Sequence, residues 1–265
     1  KAIRRQRQMC IRDSTSDNLM IIWFSGNGNS EWVARHIAER LGEATCRIDR
    51  AFYDRPHLEA GERFIWVFPV HSWGVPMTVR TVIRRINDVG GKHFMVCTMG
   101  DDCGETAEMF RHDILSRGWQ LGGAWSVIMP NTYVCFPFFD VDSQAVEHAK
   151  INAAKPRVDA IADAIASGNE AVDVKRGSFP RIKTRLIYPG FTKNINPNSF
   201  HANDKCIGCG RCVRRCPMEN ITLVSARPVW GELCALCLGC YNGCPSHAIE
   251  YGRFTHKKGQ YRGPF

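Results

Sequence analysis

The chain has 265 residues, 44% of them apolar and 23% charged, with 35 Lys and Arg against 26 Asp and Glu for a formal charge of +9. These values fit a globular protein of about two domains and exclude a chain disordered throughout. No apolar run reaches the roughly 18–20 residues of a membrane-spanning helix, and residues 1–16 lack the apolar segment of a secretory signal, so no membrane span and a cytoplasmic location are expected.

Residues 1–17 are basic and polar, open on Lys1 instead of Met and show no period; they are expected to be a disordered or non-native leader. From Leu19 onward short apolar runs alternate with helical patterns, which predicts a parallel sheet covered by helices. The predicted strands are 19–24, 46–49, 63–68, 93–98 and 124–130. A helix after the first strand carries Glu31, Trp32, Val33, Ile37, Ala38 and Leu41. Others cover 76–86, where Val79, Val82, Ile83 and Ile86 form a stripe, then 105–115 and 143–167, the last stopped by Gly168. The α/β unit is expected over 18–174. A linker rich in Gly, Pro, Asn and basic residues follows over 175–200, and a second unit over 201–265.

That second unit holds the strongest signal. Cys206, Cys209, Cys212 and Cys216 precede Pro217, and Cys234, Cys237, Cys240 and Cys244 precede Pro245, every cysteine recurring at one constant offset, an internal duplication. Eight of the thirteen cysteines in two dense runs, in a chain with no signal segment, point to metal ligation ahead of disulfides. A cubane iron–sulfur cluster needs four thiolates, and three cysteines closely spaced on a tight loop can wrap three of its irons. Zinc is the alternative, but its sites usually draw two such cysteines and a distant second pair.

Residues 203–252 closely resemble the bacterial two-cluster ferredoxins. The resemblance implies two [4Fe-4S] clusters and a small α+β domain, and it implies crossed ligation: Cys206, Cys209, Cys212 and Cys244 for one cluster, Cys234, Cys237, Cys240 and Cys216 for the other. Gly208, Gly210, Gly239 and Gly243 fit backbone amides approaching sulfide, and Ile207, Ile221, Leu223, Leu236 and Ile249 fit an apolar shell.

Three loops follow strands of the first unit, at the edge where open α/β sheets bind ligands. Ser25, Gly26, Asn27, Gly28, Asn29 and Ser30 join the first strand to its helix, where amides and the four polar side chains can hold a dianionic phosphate. Glu31 stands where the third glycine of a dinucleotide loop would be, and no Gly-Lys-Ser/Thr is present, which disfavours nicotinamide dinucleotides and ATP. Pro69, Val70, His71, Ser72, Trp73 and Gly74 follow the third strand. Thr98, Met99, Gly100, Asp101 and Asp102 follow the fourth.

These loops resemble the phosphate and isoalloxazine loops of the flavodoxin family, over about 18–170. The resemblance implies a doubly wound five-stranded parallel sheet binding FMN, with Trp73 and His71 as ring contacts and Asp101 and Asp102 lowering the flavin potential. Asn27 stands where Thr is commoner, and the third loop lacks a stacking aromatic. The sequences 129–134 (MPNTYV), 139–142 (FDVD), Pro228-Val229-Trp230 and the tail 251–261 are similar to one narrower group, the flavodoxin–ferredoxin fusions known as EFR-type ferrodoxins. That likeness implies a redox relay in which two clusters and FMN exchange electrons, coupling one- and two-electron steps with redox partner proteins.

The clusters and flavin phosphate would bring the +9 down to about +3, so nucleic-acid binding is not expected. No residue pattern marks a catalytic group. Two other readings stay open: a flavin-dependent reductase of a small acceptor such as a quinone or nitro compound, and a ferredoxin whose first domain is a flavin-free docking module. Cys46 and Cys97 are expected to be buried apolar thiols, Cys103 and Cys135 inert loop thiols, and the basic tail 253–262 a solvated surface or partner dock.

Overall fold

The computed structural model describes residues 19–264, and the expected leader over 1–17 lies outside the described residues. Strands β1 (Leu19–Trp23), β2 (Thr45–Arg47), β3 (Arg63–Pro69), β4 (Lys92–Met99), β5 (Gln120–Ile128) and β6 (Val172–Asp173) form one sheet in the order β2-β1-β3-β4-β5-β6. All pairs are parallel. The order reverses between β1 and β3, the doubly wound arrangement expected from sequence, with the two-residue β6 added at one edge.

The unbroken apolar run of β3 explains its central place, because its two faces are buried against different helices. Phe64, Trp66 and Phe68 pack with Val79, Val82 and Ile83 of α3 (Met77–Arg85) and Phe110 of α4 (Thr106–Leu115). Ile65 and Val67 pack with Val33 and Ile37 of α1 (Asn29–Leu41) and Val158, Ile161 and Ile165 of α5 (Gln144–Ala166). Strand β5 starts at Gln120, ahead of the Ala124 expected from sequence. Gly122 and Gly123 masked its start, yet both are there for packing: a Cβ would lie 2.5 Å from the Phe94 ring at Gly122 and 2.5 Å from the Trp125 ring at Gly123.

The 175–200 segment, expected to be an irregular linker, is helical over Pro180–Ile182, Lys183–Ile187 (a π turn) and Tyr188–Lys193. Its apolar residues Phe179, Ile182 and Leu186 are exposed, so no inward stripe announces the helix. Beyond it, β7 (Phe200–Ala202) pairs antiparallel with β10 (Ile249–Tyr251), and β8 (Ile221–Val224) with β9 (Arg227–Trp230). The two units share packing. Met218 is buried in the α/β core, with Cys216, Leu233, Ala235 and Cys237 packed on it, and the Arg50 amide donates to the Pro217 carbonyl at 2.8 Å.

A histidine sits inside this sheet. His93 at the start of β4 is fully buried, stacked on Trp119 at 4.4 Å and on Phe64 at 4.9 Å. The Trp66 indole donates to His93 Nδ1 at 3.0 Å, which puts the proton on Nε2, 2.9 Å from the Gly90 carbonyl. Burial pushes this imidazole down from 6.5 to about 4. The unfolded chain therefore takes up a proton between pH 6.5 and 4 that the native protein refuses. The stability contributed by neutral His93 is complete above pH 6.5 and lost as pH falls through that window, by about 2 kcal/mol at pH 5. Urea denaturation at pH 7 and pH 5 is expected to show this loss. A His93→Phe variant should start about 1–3 kcal/mol less stable, because it orphans the Trp66 indole, yet lose less on acidification; equal acid losses in the two proteins would remove His93 as the source.

Candidate functional site

The first cysteine loop turns through Gly208 and Gly210, with φ of 64° and 67°, into a short helix, Arg211–Arg215, that carries Cys212. The second loop repeats that path without glycine. Leu236 and Leu238, at the equivalent positions of the second copy, take φ of 46° and 59° before the helix Gly239–Asn242 that carries Cys240. The left-handed region costs an L-residue roughly 1–2 kcal/mol, and burial of both leucines in the cluster-domain core offsets it. Ile221, Leu236 and Ile249 lie in that core as expected, whereas Ile207 and Leu223 are 69% and 41% exposed and form no part of the shell.

The thiols gather across the two runs. Cys212 senses the charges of Cys209 and Cys244, whereas Cys234, Cys237 and Cys240 all sense Cys216. The backbone repeats here too: the Asn220 amide donates to Cys216 Sγ at 3.3 Å, and the Ala248 amide, its counterpart in the second copy, to Cys244 Sγ at 3.3 Å. Burial pushes the Cys234 thiol up to about 11 and Cys237 up to about 12, and Cys240 well above its ordinary value, so bare thiolates are disfavoured there until a cation offsets the desolvation. The Trp230 indole N–H is buried against Cys240, where it favours charge on that sulfur, and has no other acceptor.

Among the described residues no three Cys, His, Asp or Glu side chains close to the span of a single metal ion. Tetrahedral zinc would draw thiolates to about 2.3 Å from one centre. The amides on sulfur and the indole against Cys240 suit a cubane cluster, and the residues present fit that group. Cys209 is the exposed thiol of the eight; the rest are half-buried or buried.

The three loops of the α/β unit stand where expected, at the carboxyl ends of β1, β3 and β4, but the chain itself covers them. All four polar side chains of the first loop have protein partners. Ser25 Oγ accepts from the Gly28 amide at 3.1 Å, and Ser30 Oγ lies 2.7 Å from Thr98 Oγ1. Asn27 donates to the Cys237 carbonyl at 2.9 Å and accepts from Asn242 at 3.2 Å; Asn29 donates to the Pro130 carbonyl at 2.9 Å and accepts from Tyr261 at 2.7 Å.

The second loop makes a tight turn, His71 and Gly74 exchanging backbone hydrogen bonds, with Ser72 and Trp73 left-handed. The Tyr188 ring stands where a Gly74 side chain would be, with its hydroxyl on the Val75 carbonyl at 2.6 Å. Thr184 donates to the Trp73 carbonyl at 2.7 Å, and Lys183 Nζ lies 5.2 Å from the Trp73 ring. Pro69 ends β3 beside Thr98, whose carbonyl accepts from the Val70 amide at 2.8 Å. His71 faces Phe24 and Phe191 edge-on, and burial pushes its imidazole down to about 4; its remaining exposed edge opens onto a small cavity it shares with Tyr188 and Cys234.

In the third loop Asp102 pairs with Lys183 at 2.6 Å, Asp101 with Lys175 at 3.3 Å, and Asn131 fills the space beside Gly100, while the Met99 carbonyl holds the Met129 amide at 2.8 Å. The two carboxylates expected near a flavin thus have lysine partners from the linker. As arranged here, the four polar side chains of the first loop are engaged by protein and the spaces beside Gly26 and Gly74 hold Cys237 and Tyr188, so a flavin nucleotide would enter these loops only with those contacts opened.

Sequence reasoning missed Asn242, Tyr261 and Trp230. The tail, expected to be a solvated surface or partner dock, folds back on the chain, with Tyr261 buried and Gln260 donating to the Tyr241 and Cys244 carbonyls at 2.5 and 3.1 Å. An aromatic amid the tail's basic residues was the available signal.

Residues 205–249 match a family described as the 4Fe-4S dicluster domain. No curated protein matches the chain. Among solved structures, the Trp repressor binding protein from Bacillus subtilis is similar at 15% identity and a TM-score of 0.37, covering 52% of this chain and 96% of that one. An FMN-dependent NADH-azoreductase from Bacillus anthracis, in complex with FMN, is 10% identical with a TM-score of 0.36, over 56% of this chain and all of its own. An NAD(P)H:quinone oxidoreductase from Methanothermobacter marburgensis is 11% identical with a TM-score of 0.34, over 55% and 96%.

Proposed function

We propose that this chain is a one-electron carrier holding two [4Fe-4S] clusters, one on Cys206, Cys209, Cys212 and Cys244, the other on Cys234, Cys237, Cys240 and Cys216. The observation that carries it is the gathering of Cys244 with the first run and of Cys216 with the second, repeated down to the amide on each pre-proline sulfur. The clusters supply single-electron exchange; the protein supplies the thiolates, the amides that favour charge on sulfur, and the apolar surroundings that tune potential. Electrons would enter and leave at Cys209, the exposed ligand, where Arg211 and Arg214 are also exposed and suit an acidic redox partner. The second site is wedged against the α/β core through Cys216 and Cys237 and would exchange through the first.

A relay through FMN is the second reading, favoured by the β2-β1-β3-β4-β5 order and by three loops at the carboxyl edge. It requires the Asn27, Asn29 and linker contacts to open. Anaerobic purification with assay of iron, acid-labile sulfide and flavin separates the readings. About eight irons and eight sulfides per chain without flavin are expected for the carrier, and one bound FMN after reconstitution would favour the relay. Zinc in place of iron would overturn both.

Crossed ligation has its own test. Cys244→Ser and Cys209→Ser are expected to alter the same electron paramagnetic resonance signal, and Cys216→Ser and Cys237→Ser the other. Pairing of Cys216→Ser with Cys209→Ser would instead assign each run its own cluster.

A further inference from the structure

The first loop of the α/β unit has the build of a phosphate loop and a different occupant. We infer that the 25–30 loop is the seat of the second cluster-binding loop, holding Cys237 and its helix in the place of a nucleotide phosphate and setting the stability and potential of the site formed by Cys216, Cys234, Cys237 and Cys240. This rests on the two-cluster reading above.

Steric fit comes first. A Cβ on Gly26 would stand 2.5 Å from Cys237 Cβ and 2.7 Å from both its carbonyl oxygen and its Sγ; a Cβ on Gly239 would stand 2.7 Å from the Gly26 carbonyl. Neither glycine has a positive φ, so the backbone itself would accept alanine at both places. The glycines are there because two loops meet back to back. Packing this close leaves no slack for an added methyl.

Hydrogen bonds lock the contact from two sides. Asn27 bridges the Cys237 carbonyl and the Asn242 side chain, so it grips both ends of the segment that presents Cys237 and Cys240. Asn242 Oδ1 accepts from the Tyr261 amide at 2.9 Å, and the Tyr261 hydroxyl reaches back to Asn29 at 2.7 Å. Asn27, Asn29, Asn242 and Tyr261 are all buried. The tail thus closes over the seat as a clamp joining both domains.

Electrostatics explains why this seat suits a cluster. The amino end of α1, a helix of several turns, carries a partial positive charge that favours an anion. Arg215 lies against Gly243 and has a buried Nε without a partner. A bound phosphate would bring up to about two negative charges, and a four-thiolate cubane nets about the same. A loop shaped for one dianion can serve the other.

The test uses the full chain, purified anaerobically with its clusters, and the variants Gly26→Ala, Asn27→Asp and Tyr261→Phe. In Gly26→Ala, about half of the iron is expected to pass to a chelator at least ~10-fold faster than in the parent, with the other half unchanged. In Asn27→Asp, which replaces the donor to Cys237 with a negative charge, the midpoint potential of one cluster should fall while the other holds. Tyr261→Phe removes only the clamp hydroxyl and should speed loss of the same half of the iron more weakly, which keeps the test alive if Gly26→Ala fails to fold. Iron loss or potentials unaltered in all three variants, or shifted equally for both clusters, would overturn the seat. So would a one-to-one FMN complex formed by the parent with both clusters in place. A parent without eight irons would instead remove the two-cluster reading beneath it.

Discussion

Sulfur anions buried beside an apolar sheet impose the constraint on which this structure turns. Burial, helped by the neighbouring thiols, drives Cys237 up to about 12 and Cys240 well above the ordinary thiol, so desolvation opposes the charged form that iron needs. Each compensating feature answers that cost. Amides from Asn220, Leu236 and Ala248 point at Cys216, Cys234 and Cys244, the Trp230 indole stands against Cys240, and Arg215 brings a cation to Cys237. Loading of a cluster on this domain would therefore be coupled to its folding, since the buried Cys237 and Cys240 favour the charged form only with a cation beside them.

The duplication shows how strictly backbone geometry is held when its chemistry is held. The first copy reaches its left-handed turn with Gly208 and Gly210, the residues for which that conformation is free. The second copy reaches the same turn with leucines and buries them. Glu219 and His247, likewise equivalent in the two copies, take φ of 48° and 51° after their pre-proline cysteines. What repeats is the path that aims amides at sulfur, and side chains are exchanged wherever packing absorbs the strain.

Much of this was legible in the sequence, for physical reasons. The central strands are buried on both faces and read as unbroken apolar runs, and the cysteine spacing reflects a cluster that tolerates little variation. The start of β5 was hidden because Gly122 and Gly123 make room for Phe94 and Trp125, a tertiary demand with no local signature. The helical turns over 180–193 were hidden because their apolar residues face outward. The polar loops were read at the right places, yet the partner that covers them comes from the far end of the chain, as in the bond from Asn27 to Cys237. A loop that donates to phosphate and one that donates to a carbonyl are spelled with the same residues.

The fusion of two units then has a mechanical meaning. An open α/β sheet leaves donors and a helix amino end at its carboxyl edge, and those groups must be satisfied by a ligand, by water or by protein. Here the linker takes the second and third loops through Tyr188, Thr184 and Lys183, and the cluster domain takes the first through Cys237, Asn242 and Tyr261. The same contacts that close the edge also hold the cluster-binding loop from behind, which a free two-cluster domain would have to do with its own small core. On the proposed two-cluster reading, the second site stands against the sheet and Cys209 lies at the surface, which would leave one end of the pair anchored and the other open to exchange.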